Sequence, residues 1–130
     1  MAINNPYQSY QKNAVTTASA ADLTLMLYNA GIKFLHLAKK AIEEKNVEER
    51  NTNIQKVQNI IKELMSTLNM DVPVSSNLLA LYDYMNTRLI EANINNNVEI
   101  LNETEELLMD LRNTWKLAME EAKKASVPRG

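Results

Sequence analysis

The stretch DLTLMLYNAGIKFLHLAKKAIEEK, residues 22–45, decides the fold. Leu23, Leu27, Ala30, Phe34, Leu37 and Ala41 recur at threes and fours, the spacing that aligns side chains on one face of an α-helix. Leu25, Tyr28, Ile32, Leu35 and Ile42 repeat it on a second face, leaving Asp22, Asn29, Lys33, His36 and Lys40 as a narrow band for water. A helix with two apolar faces needs cover on two sides. One side is expected to be the core of its own domain, and the other to receive another chain.

The flanking sequence supplies the rest of a bundle. Asn46 followed by Glu49 reads as a capping box and opens helix 2, whose seam is Ile54, Val57, Ile61, Leu64 and Leu68, with Ile60 and Met65 on its flanks. Asp71, Pro73, Ser75 and Ser76 break the pattern, with serine expected to cap helix 3 over about Asn77 to Asn93. That helix carries Leu78, Leu81, Tyr82, Met85, Leu89 and Ala92 on one face, with Leu79, Ile90 and Ile94 to one side. After Asn95, Asn96 and Asn97, helix 4 follows with Leu101, Thr104, Leu108, Leu111, Trp115, Ala118 and Ala122 as its seam. Its glutamates come early and its lysines late, as the helix dipole favours. Short connections make neighbours antiparallel, so the expected fold is all-α, an antiparallel up-down four-helix bundle over residues 18–124. Residues 1–17 lack helical periodicity and read as a mobile N-terminal arm with two aromatic anchors, Tyr7 and Tyr10. Residues 125–130 look like a remnant of a protease-cleavable tag.

Composition narrows the function. At 130 residues one domain is expected, burying roughly 70% of the surface of the unfolded chain. The absence of cysteine excludes disulfides, thiolate metal sites and cysteine nucleophiles. Lys+Arg 14 against Asp+Glu 16, with no basic block, argues against nucleic acid as a partner. No signal-like or spanning apolar run occurs, so a cytoplasmic protein without membrane insertion is expected. Two glycines cannot build a phosphate loop, a nucleophile elbow or a dinucleotide fingerprint. The single histidine, His36, lies on the polar side of helix 1, and no Glu-x-x-His pair exists to hold metals inside a bundle. Neither a metal nor a cofactor is therefore expected, and the helix 4 glutamates read as an exposed first turn. The Asn102, Glu103, Thr104 glycosylation tripeptide is discarded as chance.

What remains is surplus apolar surface. Leu25, Tyr28, Ile32, Ile60, Leu79, Ile90 and Ile94 lie off the seams, and contiguous exposed apolar area marks partner sites. With Tyr7 and Tyr10, these are the candidate partner-binding residues; the two rings either pack back on the bundle or engage a partner. Gly31, inside helix 1, points to close approach by another backbone or ring. Two alternatives compete with a binding protein: a small helical enzyme or metal-carboxylate bundle using helix 4, and a bundle that only self-associates.

The residues also resemble a known family, the flagellin-specific export chaperones of bacterial flagellar systems (FliS). The likeness rests on Asn5, Pro6, Tyr7 and Tyr10, then on the run Leu23, Thr24, Leu25, Met26, Leu27, Tyr28, Asn29. Gln58, Asn59, Ile60, Ile61, Glu63 and Leu64 continue it in helix 2, followed by Leu81, Tyr82, Asp83, Tyr84 and Met85 in helix 3. Arg88, Leu89, Glu91, Ala92, Asn93 and Trp115 complete it. Where the family often has proline and glycine before an acidic residue, this chain has Ala20 and Ala21, which predicts an earlier start of helix 1. The resemblance implies a non-enzymatic cytosolic chaperone for the disordered C-terminal segment of flagellin. It also implies delivery to the flagellar export gate, with the tyrosine arm as a movable cover or gate anchor, and leaves room for other flagellar regulators as partners.

Overall fold

A computed structural model describes residues 19–126, and every element among them is helical. The helices are α1 (Ala20–Glu43), α2 (Val47–Ser66), α3 (Val74–Asn95) and α4 (Val98–Ser126). α1 packs against α2 and α4, and α3 against the same two, so α1 and α3 stand on one diagonal of the square.

Local sequence sets the helix ends. Ser19 caps α1: its Oγ accepts from the Asp22 amide at 3.1 Å and donates to the Asp22 carboxylate at 3.0 Å. At the far end Lys45 turns left-handed (φ 57°), and the Asn46 amide donates back to the Ala41 carbonyl at 2.8 Å. Asn46 then caps α2 by accepting from the Glu49 amide. The α3–α4 connection repeats this device with Asn96 left-handed (φ 56°), the Asn97 amide on the Ala92 carbonyl, and Asn97 Oδ1 accepting from Ile100.

The middle connection differs from expectation. α3 begins at Val74, before the expected serine cap, and has no side-chain cap. Pro73 opens it instead, because its ring fixes a helical φ and it lacks the amide that would go unpaired. Ser75 faces inward, and its hydroxyl donates to the Asn69 carbonyl at 2.6 Å.

The core is Leu27, Tyr28, Ile32, Leu35 and Ala38 from α1, Ile54, Val57, Ile60, Ile61 and Leu64 from α2, Tyr82, Met85, Leu89 and Ala92 from α3, and Ile100, Leu101 and Leu108 from α4. Thus the two apolar faces read on helix 1 merge into one wide buried arc centred near Gly31, while Leu37 is exposed. Two neighbours and a diagonal partner cover most of α1, so the second face does not await a foreign chain. Gly31 admits side chains rather than a backbone or ring: a Cβ there would lie 3.0 Å from Leu108 Cδ1 and 3.6 Å from Ile60 Cγ2.

α4 outruns its neighbour. Tyr84 of α3 meets Glu103 of α4, so α3's first residue, Val74, is level with about Asn113, and later turns have no α3 beside them. Leu111 and Trp115 are accordingly half-buried, and Ala118 and Ala122 are exposed, although all four continue the expected seam. Trp115 Nε1 donates to the Ala21 carbonyl at 2.9 Å and pins this overhang to the first turn of α1.

The diagonal is closed by one polar contact. The Tyr28 and Tyr82 hydroxyls lie 2.6 Å apart inside the core. Burial pushes both phenols above their ordinary value of 10.0. A phenol whose pKa is raised on folding contributes stability that is complete below the unfolded value and declines as pH rises past it. Alkaline unfolding is therefore expected to begin above about pH 10, followed by circular dichroism. Tyr82→Phe alone is expected to cost about 1 to 3 kcal/mol by stranding the Tyr28 hydroxyl, whereas Tyr28→Phe with Tyr82→Phe is nearly neutral and resists alkali. A cost for the double variant equal to the sum of the two single costs would show that the hydroxyl pair contributes nothing.

Candidate partner-binding surface

Among the described residues no group of His, Cys, Asp and Glu is placed to hold a metal ion. His36 is exposed as expected, yet its Nε2 lies 2.8 Å from Glu105 Oε2. Lys39 Nζ meets Glu105 Oε1 at 3.0 Å and donates to Asn102 Oδ1 at 3.1 Å. Glu105 is largely buried, so the reading of the α4 glutamates as a wholly exposed turn is corrected. Glu103 is engaged too, accepting from the Tyr84 hydroxyl at 3.1 Å and from Arg88 Nε at 3.4 Å. These carboxylates strap α4 to α1 and α3. They do not converge on a cleft where a reacting atom could sit.

The candidate binding residues divide by position. Tyr28, Ile32 and Ile60 are inside the core, at 3%, 8% and 2% exposure, so they offer no surface in this state. Their periodicity was compatible with either role, and the breadth of the buried arcs on α1 and, for Ile60, on α2 decided it. Leu25 and Leu79 are half-buried. Ile90 and Ile94 are 53% and 76% exposed, unusual for isoleucine side chains one helical turn apart. Tyr7 and Tyr10 lie outside the described residues.

Ile90 belongs to the α2–α3 seam. It is flanked on α3 by Asn86, whose Nδ2 reaches the Gln58 carbonyl at 3.4 Å, and by Asn93, whose Nδ2 donates to Asn51 Oδ1 at 2.6 Å. Arg50 closes the end of the seam, with Nε on Asn93 Oδ1 and Nη1 on Asn96 Oδ1, each at 3.0 Å. Val47, 61% exposed on the first turn of α2, stands at that same end. The seam is therefore an amide-lined strip with isoleucines along its rim. It also holds a buried acceptor, Asn86 Oδ1, without a hydrogen-bond partner in the structure.

Sequence reasoning missed Val47, together with Met70, Val72 and Val74 around the middle connection and Leu117 on the outer face of α4, all exposed. Val47 and Val74 open their helices, where an apolar residue has fewer turns around it to cover it. That positional signal was available and outweighed by periodicity.

An all-α bundle that exposes apolar side chains along a polar seam, and that ties Glu103 and Glu105 into interhelical straps, has the features of a helical chaperone. A family model described as "Flagellar protein FliS" matches residues 3–122. The flagellar secretion chaperone FliS of Bacillus subtilis (strain 168) is 48% identical over 95% of this chain and 93% of its own length. Its Escherichia coli (strain K12) counterpart is 32% identical over 81% of this chain and 79% of its own, and that of Campylobacter jejuni (strain 81116) is 30% identical over 87% and 90%. The chain belongs to the FliS family of flagellar export chaperones, a non-enzymatic family. No helix among the described residues is long and apolar enough to cross a membrane.

Proposed function

We propose that this chaperone acts in the cytoplasm on the disordered C-terminal segment of flagellin, keeps it from polymerising, and delivers it to the flagellar export gate. The observation that carries this reading is the exposed pair Ile90 and Ile94 on the amide-lined α2–α3 seam of a family member. A disordered amphipathic segment becomes helical when its apolar stripe meets such a surface, and the seam amides suit the polar edge of that helix. Ordering the segment costs about 2 to 5 kcal/mol, so a long wrapped interface is required and the half-buried Leu79 and Leu25 serve as its continuation. The arm over residues 1–17, through Tyr7 and Tyr10, then covers the surface until flagellin arrives or docks the loaded complex at the gate.

Titration calorimetry of full-length flagellin, and of flagellin lacking its C-terminal segment, tests the proposal. A one-to-one complex with a negative heat-capacity change is expected only for the full-length protein. Equal binding of both forms would rule out the C-terminal segment as the ligand. Tyr7→Ala with Tyr10→Ala is expected to change binding to flagellin or to the export gate without altering the unfolding midpoint.

A further inference from the structure

Phe34 lies at the edge of the core, where α1 meets α2, and two ammonium groups stand against its ring. Lys33 Nζ is 5.6 Å from the ring centroid and Lys56 Nζ is 5.0 Å. Both lysines are exposed, and Leu37, one turn beyond Lys33, is 39% exposed. No ion pair among the described residues engages either of these two lysines. Along α2 the flanking carboxylates that share the side of Lys56 are Glu49 and Glu63, each two turns away, which is about 10 Å of helix rise. Along α1, Asp22 and Glu43 are farther still from Lys33. Separations of this size approach the Debye length at physiological ionic strength, so local carboxylates do little to neutralise the pair. The next cation on this face, Lys40, has Glu43 and Glu44 within one turn and adds little net charge. On a chain of net charge -2, this is a localised positive, aromatic and aliphatic surface.

We propose that this α1–α2 face is a second docking surface, separate from the α2–α3 seam, for an acidic amphipathic segment of a partner protein. An apolar side chain of the partner covers Phe34 and Leu37, while carboxylates on either side of it reach Lys33 and Lys56. Charge complementarity selects this occupant: the two cations are already held beside the apolar contact, so a carboxylate meets them without ordering free side chains. An anionic lipid surface fits less well, because such recognition uses clusters of about four to eight basic residues.

The probe is a synthetic helical peptide of about 15 residues, with two leucines one turn apart framed by glutamates. Nuclear magnetic resonance of the full chain is expected to show saturable shifts at the Phe34 ring and the Leu37 methyls. Lys33→Glu with Lys56→Glu is expected to weaken the peptide about tenfold, and a peptide with lysines in place of the glutamates to recover affinity for that variant. The variant is expected to keep its unfolding midpoint and its binding of the flagellin tail. Several results would overturn the proposal. They are no shift at Phe34 and Leu37, equal binding of the acidic and basic peptides by the unaltered chain, or loss of flagellin-tail binding in the variant, which would merge this face with the flagellin site. Binding of phosphatidylserine vesicles, abolished by the same reversal, in the absence of peptide binding would assign the face to lipid instead.

Discussion

Ile90→Glu combined with Ile94→Glu is expected to weaken binding of the flagellin tail by about a hundredfold or more, since two aliphatic side chains contribute roughly 1.5 to 3 kcal/mol each when fully covered. Both residues are more than half exposed in the free chaperone, so the same changes should leave folding stability within about 0.5 kcal/mol. That separation of binding from stability is the decisive feature. Calorimetric titration alongside thermal unfolding reads both quantities on one preparation. Unchanged affinity would remove the outer edge of α3 from the flagellin site.

Leu108→Ala tests the opposite kind of position. Leu108 is completely buried and reaches into the gap above Gly31, so its truncation is expected to cost about 3 kcal/mol, a large share of the 5 to 15 kcal/mol typical of a domain. Gly31→Ala in the unaltered chain should be close to neutral. Its gain of about 1 kcal/mol in helix propensity is opposed by a methyl group only 3.0 Å from Leu108 Cδ1. In the Leu108→Ala background that contact is gone, and Gly31→Ala becomes stabilising. Denaturant titration of the four proteins gives the coupling directly. If Gly31→Ala has the same effect in both backgrounds, the close approach of the two helices does not set the tolerance at position 31.

How far the sequence could be read depended on how many neighbours each helix has. On α2 the three-four alternation identified Ile54, Val57, Ile61 and Leu64 correctly, although the buried arc is one residue wider and also takes in Ile60. On α1 it did not. Two neighbouring helices and the Tyr28–Tyr82 contact across the diagonal widen the buried arc, so residues that looked like a spare apolar flank are enclosed. Periodicity reports where apolar side chains are, and not how many elements surround them. The overhang of α4 is the converse case: Ala118 and Ala122 keep the seam spacing after the covering helix has ended. Helix register was needed to see that.

The proposed binding surface was legible only in its exposed members. Ile90 and Ile94 lie off every seam in the sequence and are exposed in the structure. The amide strip beside them was invisible, since Asn51, Asn86 and Asn93 acquire their roles only when α2 and α3 come together. The capping asparagines were partly legible. Asn46 announced itself through Glu49, whereas the matching function of Asn97 required the left-handed turn at Asn96.

Those paired asparagine turns have a kinetic consequence. Each joins two antiparallel helices through so few residues that partners in space are also close along the chain, and little loop entropy is lost on closure. Low contact order of this kind goes with folding in microseconds to milliseconds. Whenever it unfolds, a chain wired in this way regains its shape far faster than a ribosome could supply a replacement copy.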